Sequence, residues 1–70
     1  MTVTITVNGT TREIAERTTV AGLLAELNVR AQHVAVEVNR EIVRRTQHET
    51  FRLSQADSIE IVTLVGGGAR

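Results

Sequence analysis

Few side chains in this sequence are of a type that performs covalent chemistry. His33 and His48 are the two imidazoles. Neither has a serine or cysteine partner at a recognisable spacing, so both read as solvated loop histidines. Glu37 and Glu41 flank a turn and could sit close together, and paired carboxylates can share a proton. On a surface without net charge such a pair is more often solvated. Arg44-Arg45 is a short basic pair that could touch an acidic partner or a phosphate. There is no cysteine, which excludes disulfides, iron–sulfur clusters, thiolate zinc sites and a cysteine nucleophile. Two histidines without an acidic-ligand motif do not make a metal site. No Walker or Rossmann motif is present. Gly66-Gly67-Gly68 follows a strand pattern but opens no helix, so it is not a phosphate-cradling loop.

The triglycine is the feature that side-chain chemistry leaves unused. A run of glycines near a terminus can be a flexible end. That does not explain why the preceding segment is so apolar right up to Val65. Glycine lacks a Cβ, so its backbone can enter a channel too narrow for other residues. Three extended residues reach roughly 10 Å. A carboxylate at that point could be presented to the active site of another protein.

The chain that must position this tail has 70 residues, enough for one small domain. A domain of that size buries only about 60% of the surface its unfolded chain exposes. The net charge is zero, with eight acidic residues against eight basic ones, all of them arginine. That balance argues against a nucleic-acid partner. The apolar runs fall far short of the roughly 20 residues that cross a bilayer. The first seven residues alternate and have no basic lead, so they do not read as an export signal. No membrane association and a cytoplasmic location are the resulting expectations.

Thr2 to Val7 alternates β-branched apolar residues with threonines, the pattern of a half-buried strand. Asn8-Gly9 is a strong hairpin signal, because both central positions of a type I′ turn need φ > 0. Thr10 to Ala15 then returns, with Ile14 as its clearest core residue. A two-residue turn places Arg12 on the same face as Ile5 and Ile14. Either Arg12 snorkels at the edge or the loop is longer than Asn-Gly. Thr18 or Thr19 can cap a helix over about 19–28, whose Val20, Leu23, Leu24 and Leu27 share one face. Asn28 can take the left-handed conformation at its end.

Val34, Val36 and Val38 alternate in a third strand. Asn39-Arg40 reads as a tight turn before a short strand at Ile42-Val43. Residues 44–58 are polar and irregular, with Phe51 and Leu53 as anchors under a loop and a turn at Gln55–Ser58. Ile59 to Val65 is the most apolar strand and belongs in the sheet centre. One helix cannot cover both faces of a sheet, so the fold class is two-layer α+β. If Ile59, Ile61 and Val65 face the helix, Val62 and Leu64 point to the open face as a candidate docking patch. The domain organisation is a folded unit over 1–65 and a glycine-rich tail over 66–70.

In this order and at this length, several segments together resemble the ThiS family of small sulfur carriers, and more distantly the MoaD-type carriers. They are Ile5–Gly9, Thr19–Leu27, Val34–Val43 and Ile59–Gly68. The resemblance implies a ubiquitin-like β-grasp fold, a mixed four- to five-stranded sheet packed on one helix. It implies a carrier that is not itself an enzyme and binds no cofactor. A partner adenylyltransferase of the ubiquitin-activating type would use ATP to adenylate the terminal glycine. Sulfur from a cysteine desulfurase or sulfurtransferase would then convert it to a thiocarboxylate, which passes to a thiazole synthase for thiamine. On this basis Gly68 holds the sulfur, Gly66 and Gly67 lead into the partner site, and Val62, Leu64 and Val65 dock.

Two departures from the family pattern stand out. Ala69-Arg70 follow Gly68, so a free carboxylate there needs a trimming protease, unless the two residues are foreign additions or the chain is not a carrier in this form. The family often has Asp-Gly-Asp before the last strand, where this chain has Gln55-Ala56-Asp57-Ser58. A carrier for another pathway, a ubiquitin-like protein modifier and a non-covalent interaction domain remain as alternatives. With no lysine, the chain cannot build lysine-linked polymers of itself.

Overall fold

The structure, a computed structural model, describes residues 1–64. Strands β1 (Thr2–Val7) and β2 (Thr10–Ala15) form an antiparallel hairpin. Asn8 and Gly9 both have positive φ, 50° and 85°, as the Asn-Gly signal requires. Helix α1 (Val20–Glu26) follows, then β3 (Val34–Val38), β4 (Glu41–Val43) and β5 (Ser58–Thr63). The sheet order is β2-β1-β5-β3-β4, with β5 parallel to β1 and antiparallel to β3. The apolar last strand does occupy the centre. This is the mixed sheet on one helix of a ubiquitin-like β-grasp.

Helix α1 has only seven residues and would not persist alone. Two devices fix its ends. The Thr19 hydroxyl accepts a hydrogen bond from the Gly22 N–H at 3.1 Å, so the second of the two candidate caps is the one used. At the other end Asn28 is left-handed, φ 60°. Asn28 N–H donates to the Ala25 carbonyl and Val29 N–H to that of Leu24, a Schellman closure. Val20, Leu23 and Leu24 are buried against Ile5 and Ile14 of the hairpin, Val36 and Val38 of β3, and Ile59 of β5. Each fully buried aliphatic side chain contributes about 1.5–3 kcal/mol.

The doubt over Arg12 resolves in favour of the short loop. Arg12 lies opposite Ile5 on the helix-facing side, and its guanidinium reaches out to Glu26 on α1 at 3.6 Å. Both side chains are well exposed, so the pair contributes little; the aliphatic stem is what the site accommodates.

The segment after β4 corrects two expectations. His48 is not solvated: it is 4% exposed, with Nε2 3.2 Å from the Val43 carbonyl oxygen. Its own carbonyl accepts from Ala21 N–H at 2.8 Å, which draws it onto the helix. Phe51 is not an anchor. Its side chain is exposed, and its contribution is a carbonyl that accepts from Val20 N–H. Leu53 is the anchor, buried, with its N–H bonded to the Thr18 carbonyl. The loop binds to the start of α1 through its backbone, which an apolarity count does not register.

The turn before β5 is built on Asp57. Its carboxylate accepts from Ser54 N–H at 2.8 Å and from the Asn39 amide at 3.0 Å. Ala56 sits there at φ 72°, a left-handed conformation that costs a residue with a Cβ roughly 1–2 kcal/mol. This chain therefore keeps a glycine-type conformation without the glycine. Ala56→Gly is expected to raise stability by about 1 kcal/mol, read as a rise of about 4–8 °C in Tm. A lower Tm would show that the strain is already relaxed by the surrounding bonds.

Candidate functional site

Strand β5 alternates direction with every residue, and its two sides are held differently. Even-numbered residues turn their backbone groups to β3. Asn39 N–H donates to the Ser58 carbonyl at 2.7 Å, and Leu64 N–H to that of His33 at 2.8 Å. Odd-numbered residues turn toward β1, but the β1 ladder covers only Ser58 and Ile59. Beyond it the Asn8 side chain substitutes for a strand. Ile61 N–H donates to Asn8 Oδ1 at 2.8 Å, and Asn8 Nδ2 donates to the Ile61 carbonyl at 3.2 Å. Asn39 does the same on the opposite side, its Oδ1 accepting from Ser58 N–H at 2.9 Å. Two asparagines in left-handed turn positions thus grip the central strand from both flanks.

Side-chain burial along β5 changes at the same point. Ile59 is buried and Ile61 is packed on the core, whereas Val62 and Leu64 are 52% and 55% exposed. Val62 stands opposite Ala35, and Glu60 opposite Glu37, whose other neighbour is the exposed Ile42 of β4. Ile42 and Leu64 border an open cleft of about 240 Å³ with Ala31 and Ala35. The open face near the end of β5 therefore carries three exposed aliphatic side chains, beside a Glu37–Glu60 couple with no ion-pair partner among the described residues. Among the described residues the one ion pair is Arg12–Glu26, on the other side of the sheet.

The remaining candidates separate. Glu37 meets Glu60 rather than Glu41, because Glu41 lies opposite Val38 and so on the other face. Arg44 and Arg45 are exposed. His33 is exposed and serves through its carbonyl. Among the described residues no group of three metal-ligating side chains gathers, and no helix is long and apolar enough to cross a membrane. Val65, Gly66, Gly67 and Gly68 lie outside the described residues, as does the tail over 66–70.

A model of the ThiS family matches residues 5–68, which includes the triglycine. This chain belongs to the ThiS family. It is 40% identical over 50 residues to the sulfur carrier protein ThiS of Bacillus subtilis, covering 71% of this chain and 76% of that one. The crystal structure of a thiamine biosynthesis protein (ThiS) from Geobacter metallireducens superposes with a TM-score of 0.82 at 33% identity. That match covers 94% of this chain and all of the other. A thiazole synthase of Paramagnetospirillum magneticum is 38% identical over 65 residues, which is 93% of this chain but 20% of the enzyme. The chain thus spans about a fifth of the length of the thiazole synthases it matches. Family membership makes this stretch of chain a ThiS-type carrier module rather than a catalytic one.

Sequence reasoning placed Val62 and Leu64 on the open face, where they are, but missed Asn8, Asn39 and Ile42. An asparagine in a turn is legible as a φ > 0 residue; its reach to a strand more than fifty positions away is not. Asn8→Gly keeps the turn conformation and removes only the grip on Ile61. It is expected to cost about 1–2 kcal/mol and to speed hydrogen exchange at the Ile61 amide. Unchanged exchange there would mean that β3 alone holds the strand. Leu64→Asp is expected to leave stability within about 0.5 kcal/mol; a large fall in Tm would place Leu64 in the core.

Proposed function

We propose that the chain carries sulfur as a thiocarboxylate on Gly68 for the assembly of the thiamine thiazole. The observation that carries the reading is the continuity of β5. A gripped central strand turns into an exposed apolar segment, Val62 to Leu64, a few residues before a triglycine that the family match includes. Val62 and Leu64, with Val65 after them, would dock on the partner, and Gly66 and Gly67 would thread its channel.

The chemistry follows from what a carboxylate lacks. Oxide is a poor leaving group, so the acid must be activated. A ubiquitin-activating-type adenylyltransferase supplies that step. The Gly68 carboxylate oxygen attacks the α-phosphorus of ATP and expels pyrophosphate, giving an acyl-adenylate. A persulfide from a cysteine desulfurase or sulfurtransferase attacks the acyl carbon and AMP leaves. A thiol then reduces the acyl disulfide to the thiocarboxylate. No side chain of the carrier takes part, in keeping with its lack of cysteine and its want of a catalytic constellation. The carrier would bind no cofactor; the ATP belongs to the partner.

A thiazole synthase is the proposed recipient. Its support is the occurrence of a stretch like this chain within polypeptides named thiazole synthase. Because Ala69-Arg70 follow Gly68, the Gly68–Ala69 bond must first be cleaved, and a trimming protease is the proposed agent. A cytoplasmic setting fits the free thiols and persulfides this chemistry requires.

Intact mass of protein from its native cells tests the scheme, before and after ATP, the cognate activating enzyme and a sulfur source are added. Loss of Ala-Arg followed by a gain equal to the difference between sulfur and oxygen is expected. Retention of Ala69-Arg70 with no adenylate formed would overturn it. So would rescue of a thiamine-requiring strain by a variant truncated before Gly68. Leu64→Asp should weaken binding to the activating enzyme about tenfold, the effect of losing an apolar contact of about 1.4 kcal/mol.

A further inference from the structure

The grip of Asn8 leaves one stretch of backbone without a partner. Strand β5 sits in the middle of the sheet, yet β1 ends at Val7 and the hairpin tip turns away at Asn8-Gly9. The Ile59 carbonyl accepts from the Asn8 N–H, and both β1-side groups of Ile61 are bonded to the Asn8 side chain. Thr63 is the next residue whose N–H and C=O face that side, and among the described residues nothing bonds to them. Both faces are open here too, since Val62 and Thr63 are exposed. Here an interior strand becomes an edge strand, and backbone N–H and C=O groups are obligatory hydrogen-bonding groups.

We infer that this short edge at Thr63 is a strand-addition site, taken by an extended segment of the protein that activates the C-terminus. An added strand satisfies the free Thr63 groups in line with Asn8. It also sets its alternate side chains beside Val62 and Leu64 on the open face. Backbone pairing would fix the direction and register of the strand that leads into the tail, while the aliphatic side chains supply contact area.

A second copy of this chain fits less well. Two such edges could pair over only about one residue each. That buries far less than the roughly 1,200 Å² of a stable interface. For a partner already holding the tail, the same few bonds form at high effective concentration. The identity of the occupant rests on the carrier reading above; the free edge itself does not.

Because the Thr63 N–H faces away from β3, Thr63→Pro removes the donor without removing a ladder bond, as proline tolerates on an edge strand. Thr63→Val keeps the N–H. The chain ending at Gly68, with Ala69-Arg70 removed so that the carboxylate is free, is used with its cognate activating enzyme, reading affinity by titration and adenylation by ATP–pyrophosphate exchange. Thr63→Pro is expected to lose roughly tenfold in affinity, the worth of a backbone hydrogen bond, with Thr63→Val close to wild type. Equal binding by a folded Thr63→Pro variant overturns the strand-addition site and leaves the carrier reading standing. Absence of binding and exchange by the chain ending at Gly68 without the Thr63 substitutions overturns both.

Should Thr63→Pro fail to fold, hydrogen exchange of the wild-type Thr63 amide decides. Fast exchange in the free protein, slowed in the complex, supports the site; unchanged exchange in the complex overturns it. Slowing with protein concentration alone, without the enzyme, makes a second copy the occupant and overturns the assignment to the enzyme.

Discussion

One short helix can shield only one face of a five-stranded sheet, and most of this structure answers to that limit. Every strand must divide its side chains between a dry face and a wet one. Val3, Ile5 and Val7 turn inward while Thr2, Thr4 and Thr6 turn out. Threonine suits the outer positions because its β-branch favours the strand and its hydroxyl tolerates water. Against that background the outward aliphatics are conspicuous. Ile42, Val62 and Leu64 stand where the pattern of β1 would put a polar residue, and all are grouped toward one end of the sheet. A monomer gains nothing from exposing them together.

The same limit explains the long irregular segment between β4 and β5. A seven-residue helix leaves the flank of the core open, and residues 44–57 close it. His48 and Leu53 fill the gap from below the helix while backbone bonds to Thr18, Val20 and Ala21 hold the segment in place. His48 Nε2 finds the Val43 carbonyl, while among the described residues none bonds to Nδ1.

The two hairpin strands and their turn, the third strand, the helix cap and the central place of β5 were legible from the sequence, whereas the last strand, expected over Ile59 to Val65, is Ser58–Thr63 among the described residues, and the helix, expected over about 19–28, is Val20–Glu26. Each is written in local alternation, in a turn dipeptide or in bulk apolarity. Ile59 and Ile61, for example, outweigh Glu60 in any window and can only be central. His48, Phe51 and Asn8 were not legible, because their roles depend on partners far away in the chain. His48 looks like any polar loop residue until Ala21 draws it against the helix. Phe51 looks like an anchor until its carbonyl, not its ring, proves to be the part in use. Of the candidate site, Val62 and Leu64 followed from period-two counting along β5. Ile42 did not, because a three-residue strand is too short to show its phase.

Constraint falls away along a single strand. Up to Ile61, β5 is bonded on both flanks and packed from the helix side, and there it is as constrained as any part of the molecule. Past Ile61 it keeps β3 alone, then only the bond from Leu64 to His33. The place of that transition decides what the open face presents. Chain released earlier would lose the alignment of Val62 and Leu64 with the open face. Asn8 sets where the change occurs, since among the described residues its side-chain amide makes the last hydrogen bonds to β5 on the β1 side. One asparagine amide thus does for β5 what a longer β1 would do, and because it stops short of Thr63, Val62 and Leu64 are aligned through β3 alone.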